Sequence, residues 1–155
     1  MAALASAPGS FSLTGVQSDC HSSVQMHIEA RDLVDLDTFS LSDPFAVVYM
    51  TDSKGMREIG RTETVRESLN PDFATGFDLD YFFEERQTIT LRLYDDDGKG
   101  KVSDLKRHDF LGEASFGLAE AMHSPSGSLT KVLQKIKKGS VTVFVEVPPL
   151  RPPPV

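Results

Sequence analysis

Short runs in which apolar and polar residues alternate restrict this chain of 155 residues to an all-β fold. The clearest run is 141–147, where every second residue is valine, and segments 24–30 and 88–94 show the same period. Because successive side chains of a strand point to opposite faces of its sheet, each run predicts a strand with one buried face. No amphipathic pattern of ordinary helix length separates these runs.

The complete pattern predicts eight short strands joined by turns, and such a series is typical of an antiparallel β-sandwich of two sheets. The predicted strands are 23–30, 45–50, 59–65, 73–83, 88–94, 110–116, 129–133 and 141–147. One helical turn is expected at 118–122. We predict a single domain over residues 23–147, preceded by a flexible tail (1–22) and followed by a proline-rich tail or linker (148–155).

Three connections between the predicted strands should lie at the same end of the sandwich, because neighbouring strands alternate in direction. These are residues 35–44, 67–72 and 95–109, and the first and third are rich in aspartate. The third alone contains five aspartates. Clustered carboxylates repel one another, so such loops are costly to order unless a cation lies among them. Oxygen donors without cysteine or suitably spaced histidine favour calcium over zinc.

The three connections also resemble the calcium loops of C2 domains. The resemblance is carried by residues 30–44 in the first connection, by Leu-Asn-Pro at 69–71 in the second, and by 94–97 with 108–112 in the third. Among C2 domains, the first C2 domain of copines is most similar, on the segments 58–63, 80–84 and 109–113. Copines normally carry a second C2 domain and a von Willebrand A-type domain, so we expect either a fragment or a single-domain relative.

The resemblance implies a set of calcium ligands and a strand order. It implies two or more calcium ions held by Asp37, Asp43, Asp95, Asp97 and Asp109. The interval from Asp97 to Asp109 is longer than in the commonest C2 loops, so Asp104 is an alternative fifth ligand. Asp35 and Asp96 point away from the ligand set by strand parity. C2 domains occur in two circularly permuted strand orders. The last strand of this chain looks like the opening strand of the other order, so we expect the type II order here.

Four apolar residues in the acidic loops could insert at a membrane interface. They are Phe39, Leu41, Val102 and Leu105. The predicted function is therefore calcium-dependent docking on anionic phospholipid by a monomeric module. The alternative is a C2 fold that binds protein partners without calcium.

Other classes of function are disfavoured by composition. A net charge of −7 argues against nucleic-acid binding, because phosphate contacts need a basic surface. No nucleophile, base and acid form a recognisable set, so we expect no enzyme activity. The single cysteine cannot form an internal disulfide, which fits a cytoplasmic protein. We expect this protein to become peripheral to the membrane when calcium rises.

Overall fold

The computed structural model describes residues 21–36, 40–96, 98, 105 and 108–148. Within these residues it contains eight strands and one short α-helix, in the order β1 (His21–Arg31), β2 (Pro44–Asp52), β3 (Gly55–Arg61), β4 (Phe77–Phe82), β5 (Thr88–Asp95), β6 (Asp109–Gly117), α1 (Leu118–Met122), β7 (Ser128–Val132) and β8 (Ser140–Glu146). A 3-10 turn, Pro125–Gly127, precedes β7.

The strands form two four-stranded sheets with the orders β4-β1-β8-β7 and β3-β2-β5-β6. All pairings within them are antiparallel. The predicted antiparallel β-sandwich is therefore confirmed. The last strand, β8, lies beside β1; the assignment of the type II order stays a prediction.

The third strand differs from its prediction. It covers Gly55–Arg61 rather than 59–65, and Gly55 pairs directly with Asp52 across a two-residue turn. Every residue of β3, which lies at one edge of its sheet, is at least partly exposed. A strand without a buried face shows no clear alternation, so the sequence placed it too late. The strand β1 also begins two residues earlier than predicted, at His21.

The main core lies between the two sheets and is made of the inward-facing residues of both, including Met26, Ile28, Val48, Leu91, Leu111 and Val143. A second cluster lies on the outer face of the sheet β3-β2-β5-β6. It consists of Phe45, Val47 and Tyr94, with Leu105 and others packed against it. Strand β2 thus buries both faces, which explains why its sequence is continuously apolar.

Candidate metal site

Three connections meet at one end of the sandwich, as the sequence predicts. In the antiparallel register of β2, β5 and β6, Asp95 lies opposite Pro44 on one side and opposite Asp109 on the other. The β1–β2 connection therefore lies next to the β5–β6 connection. The β3–β4 connection joins them through the Ser68 N–H, which donates to the Ser42 carbonyl at 2.9 Å.

The first and third connections are joined by two reciprocal hydrogen bonds. The backbone N–H of Asp43 donates to Asp95 Oδ1 at 2.8 Å, and the N–H of Asp96 donates to the Asp43 carbonyl at 2.8 Å. The Asp95 residue is only 1% exposed. A buried carboxylate that accepts a backbone N–H is fixed in orientation. These bonds hold Asp43 and Asp95 side by side.

The carboxylate of Asp43 is engaged by the β3–β4 connection. The Glu67 N–H donates to its Oδ1 at 2.6 Å, and Arg66 Nη1 lies 3.4 Å from its Oδ2. Sequence reasoning missed both residues. No motif marks them, because their contact with Asp43 joins positions 23 or 24 residues apart in the chain.

The Leu-Asn-Pro motif has a structural role at this end. The Asn70 side-chain oxygen accepts a hydrogen bond from the Asp32 N–H at 2.9 Å, and the Leu69 carbonyl accepts one from the Leu33 N–H at 3.0 Å. Asp32 adopts a left-handed backbone with φ of 55°. Such a conformation is uncommon outside glycine, and the hydrogen bond from the Asp32 N–H to Asn70 stabilises it. The second connection therefore shapes the start of the first.

Asp96 is part of the supporting structure behind the site. It is 7% exposed and accepts hydrogen bonds from Thr64 Oγ1 and from the Gly98 N–H, both at 3.1 Å. His108 Nδ1 lies 3.8 Å from Asp96 Oδ1. These contacts link the third connection to the second; that Asp96 points away from the ligand set stays a prediction. Asp35 is exposed.

The structure brings three of the five predicted ligands to one end of the sandwich: Asp43, Asp95 and Asp109. Asp109 is exposed at the first position of β6. Asp37, Asp97 and the alternative Asp104 lie outside the described residues. Among the residues that the structure does describe, no group of three acidic, histidine or cysteine side chains could hold a metal ion. The donors that meet are all oxygens, which is the chemistry that calcium prefers.

Of the four predicted membrane contacts, two lie within the described residues and two lie outside them. Leu41 is 41% exposed, and Leu36 in the same connection, which the sequence analysis did not single out, is 46% exposed. Leu105 packs against the second cluster and is only partly exposed. Phe39 and Val102 lie outside the described residues. Within the part of the chain that the structure describes, no helix is long and apolar enough to cross a membrane.

Two antiparallel sheets whose aspartate-bearing connections gather at one end define a β-sandwich module with its polar site in the loops. Residues 23–147 match the family model of the C2 domain, and the chain belongs to the C2 domain family. Its sequence is similar to Copine-A from Dictyostelium discoideum, with 38% identity over 81% of this chain and 20% of that protein. It is also similar to nicotinic receptor-associated protein 1 from Caenorhabditis elegans, with 34% identity over 79% of this chain and 24% of that protein.

The predicted family and the similarity to copines are thus confirmed, although the chain spans only about a fifth to a quarter of the length of these curated relatives.

Solved structures share the fold. The calcium-bound C2A and C2B domains of extended synaptotagmin 2 match with a TM-score of 0.62 and 21% identity, over 81% of this chain and 45% of that one. Human GIVD cytosolic phospholipase A2, solved with terbium chloride and an inhibitor, matches with a TM-score of 0.59 and 19% identity, over 83% of this chain and 18% of that enzyme.

Proposed function

We propose that this C2 domain binds calcium through aspartates of its first and third connections and thereby docks on anionic phospholipid. The observation that carries the proposal is that Asp43, Asp95 and Asp109 lie at one end of the sandwich, with the Asp43 N–H donating to the Asp95 carboxylate. Asp37 and Asp97 complete the proposed ligand set. The calcium-bound structure of extended synaptotagmin 2 supports the proposal, because its fold is shared.

The chemistry of calcium explains why the membrane should take part. Calcium accepts six to eight oxygen ligands at about 2.3–2.6 Å, and five aspartates shared by two or more ions leave positions for water or lipid phosphate. Binding is therefore weak without lipid and stronger with it. The ions also reverse the local sign of a protein whose net charge is −7, which otherwise repels anionic headgroups.

Apolar side chains near the site would add a second contact with the bilayer. We propose Phe39, Leu41, Val102 and Leu105 for this role, and Leu41 supports it best because it is exposed in the first connection. Leu105 would first have to leave the second cluster. On this proposal the protein acts without catalysis, as a cytoplasmic monomer that becomes peripheral to the membrane on a calcium rise.

The test is co-sedimentation with phosphatidylserine vesicles, with calcium and with chelator. We expect pelleting only with calcium, and its loss in Asp43→Asn. The matched control is Asp78→Asn, which removes an equal charge from an exposed residue of β4. Pelleting that is unchanged by chelator, or equal in both variants, contradicts the calcium mechanism.

A second candidate function is calcium-independent binding of protein partners. It is favoured by the contacts of Asp43, whose two carboxylate oxygens already have the partners Arg66 and Glu67 within the protein. An end that is ordered in this way could present a fixed acidic surface to a basic partner. If calcium produces no heat in calorimetry and no pelleting, this candidate replaces the first.

A further inference from the structure

The β3–β4 connection contributes none of the proposed calcium ligands, yet it contacts one of them at both oxygens. Asp43 Oδ1 accepts the Glu67 N–H at 2.6 Å, and Oδ2 lies 3.4 Å from Arg66 Nη1. The Asp43 side chain is 23% exposed, whereas that of Arg66 is 69% exposed. One oxygen thus meets a neutral backbone donor and the other an exposed, solvated cation.

The backbone around Arg66 is fastened to the strand end that carries Asp43. The Val65 N–H donates to the Pro44 carbonyl, and the Ser68 N–H donates to the Ser42 carbonyl, each at 2.9 Å. Between them, Glu67 adopts a left-handed backbone with φ of 49°. These bonds fix the direction of the Glu67 N–H and keep the Cα of Arg66 beside Asp43, while its long side chain remains free to move into water.

We propose that Arg66 is the internal counter-ion of Asp43 and competes with calcium for that carboxylate. This inference rests on the proposed function. A calcium ion at Asp43 Oδ2 and a guanidinium at the same oxygen repel each other, so the arginine must leave when the ion arrives. The Glu67 N–H carries no net charge and can stay. Arg66 therefore lowers the affinity of the site for calcium without being needed to form it.

The test measures calcium affinity of the full chain by calorimetry at low ionic strength and without lipid. Arg66→Gln should lower the Kd for calcium about two- to fivefold, the range of an exposed ion pair. The matched control is Arg86→Gln, an exposed residue of the β4–β5 connection at the opposite end of β5. This control removes the same charge and should leave the Kd unchanged. If Arg66→Gln leaves the Kd unchanged while the parent protein binds calcium, the inference is wrong and the proposed function stands.

A second measurement separates a direct pair from a general charge effect. In chelator, Arg66→Gln should lower the Tm by about 1–3 °C in the parent protein and leave it unchanged in the Asp43→Asn background. An equal loss in both backgrounds means that the two side chains do not interact, which overturns the inference. If the parent protein binds no calcium at all, the proposed function fails, and the coupling in chelator still reports whether the pair exists.

Discussion

Both ends of the sandwich carry aspartates, but the hydrogen-bond donors to these carboxylates are local in the chain at one end and distant at the other. At the end away from the three connections, Asp52 accepts the Lys54 N–H at 2.9 Å and lies 3.0 Å from Arg57 Nη1. At the other end, Asp95 and Asp43 accept backbone N–H groups from distant parts of the chain. The partners of Asp52 are two and five residues away, whereas those of Asp95 and Asp43 are 52 and 24 residues away.

This difference shows why the number of acidic residues does not by itself identify a metal site. Each carboxylate has an arginine partner, but Arg57 lies 3.0 Å from Asp52 with its side chain 51% exposed, whereas Arg66 lies 3.4 Å from Asp43 with its side chain 69% exposed, so a cation should gain less at Asp52. A backbone N–H orients a carboxylate but leaves its charge available to an ion. At the end where the three connections meet (the loop end), the exposed Arg66 is the cation that the structure pairs with Asp43. Solvation of its guanidinium can replace this ion pair at little cost in free energy.

The largest expected effect is on the stabilisation that calcium gives, when one aspartate charge is removed at either end of the sandwich. Asp95→Asn should abolish the stabilisation that calcium gives, which is about 2.7 kcal/mol at a calcium concentration one hundred times the Kd. Asp52→Asn should retain it. The measurement is thermal unfolding of each variant with calcium and with chelator. A calcium-induced rise in Tm that survives in Asp95→Asn, or disappears in Asp52→Asn, would show that the two ends do not differ in this way.

A smaller effect is expected behind the loop end. Asp96→Ala leaves the donors Thr64 Oγ1 and Gly98 N–H without their acceptor in a buried place, and should lower the free energy of unfolding by about 1–3 kcal/mol. Urea unfolding in chelator measures it. The exposed Asp78→Ala should stay within about 0.5 kcal/mol of the parent protein. Equal losses in both variants would mean that Asp96 does not support the third connection.

The smallest expected effect is a dependence of the Tm on pH that comes from Asp52. The Lys54 N–H, together with Arg57 and against the opposing effect of burial, holds the pKa of Asp52 below its usual range. A lowered pKa contributes stability above the ordinary aspartate value of about 3.9, and this contribution is lost as the pH falls through the folded value. The Tm difference between the parent protein and Asp52→Asn should therefore narrow from pH 7 to pH 2.5, with or without calcium. A constant difference would contradict this assignment.

The sequence predicts those parts of the fold in which one face of a strand is buried. Alternation identified β1, β5 and β8, and the continuous apolar run identified β2. It misplaced β3, because an exposed edge strand has no buried face to produce a pattern. The same limit applies to the site.

Asp43, Asp95 and Asp109 lie at one end because strand order decides that position, and their role as ligands stays a prediction. Family spacing could not identify Arg66 or Glu67, because their contact with Asp43 depends on how a separate connection folds back. The roles of Asp37, Asp97, Phe39 and Val102 stay predictions, because these residues lie outside the described part of the chain.

The bonds between Asp43 and its neighbours Asp95 and Asp96 also bear on the order of events in folding. They join positions about 52 residues apart, so they can form only after β2 has paired with β5. An ion that needs both aspartates finds no binding site in the early, locally ordered chain. Under the proposed function, calcium therefore cannot guide the search for the native state. It binds after the two sheets have formed and then lowers the rate of unfolding.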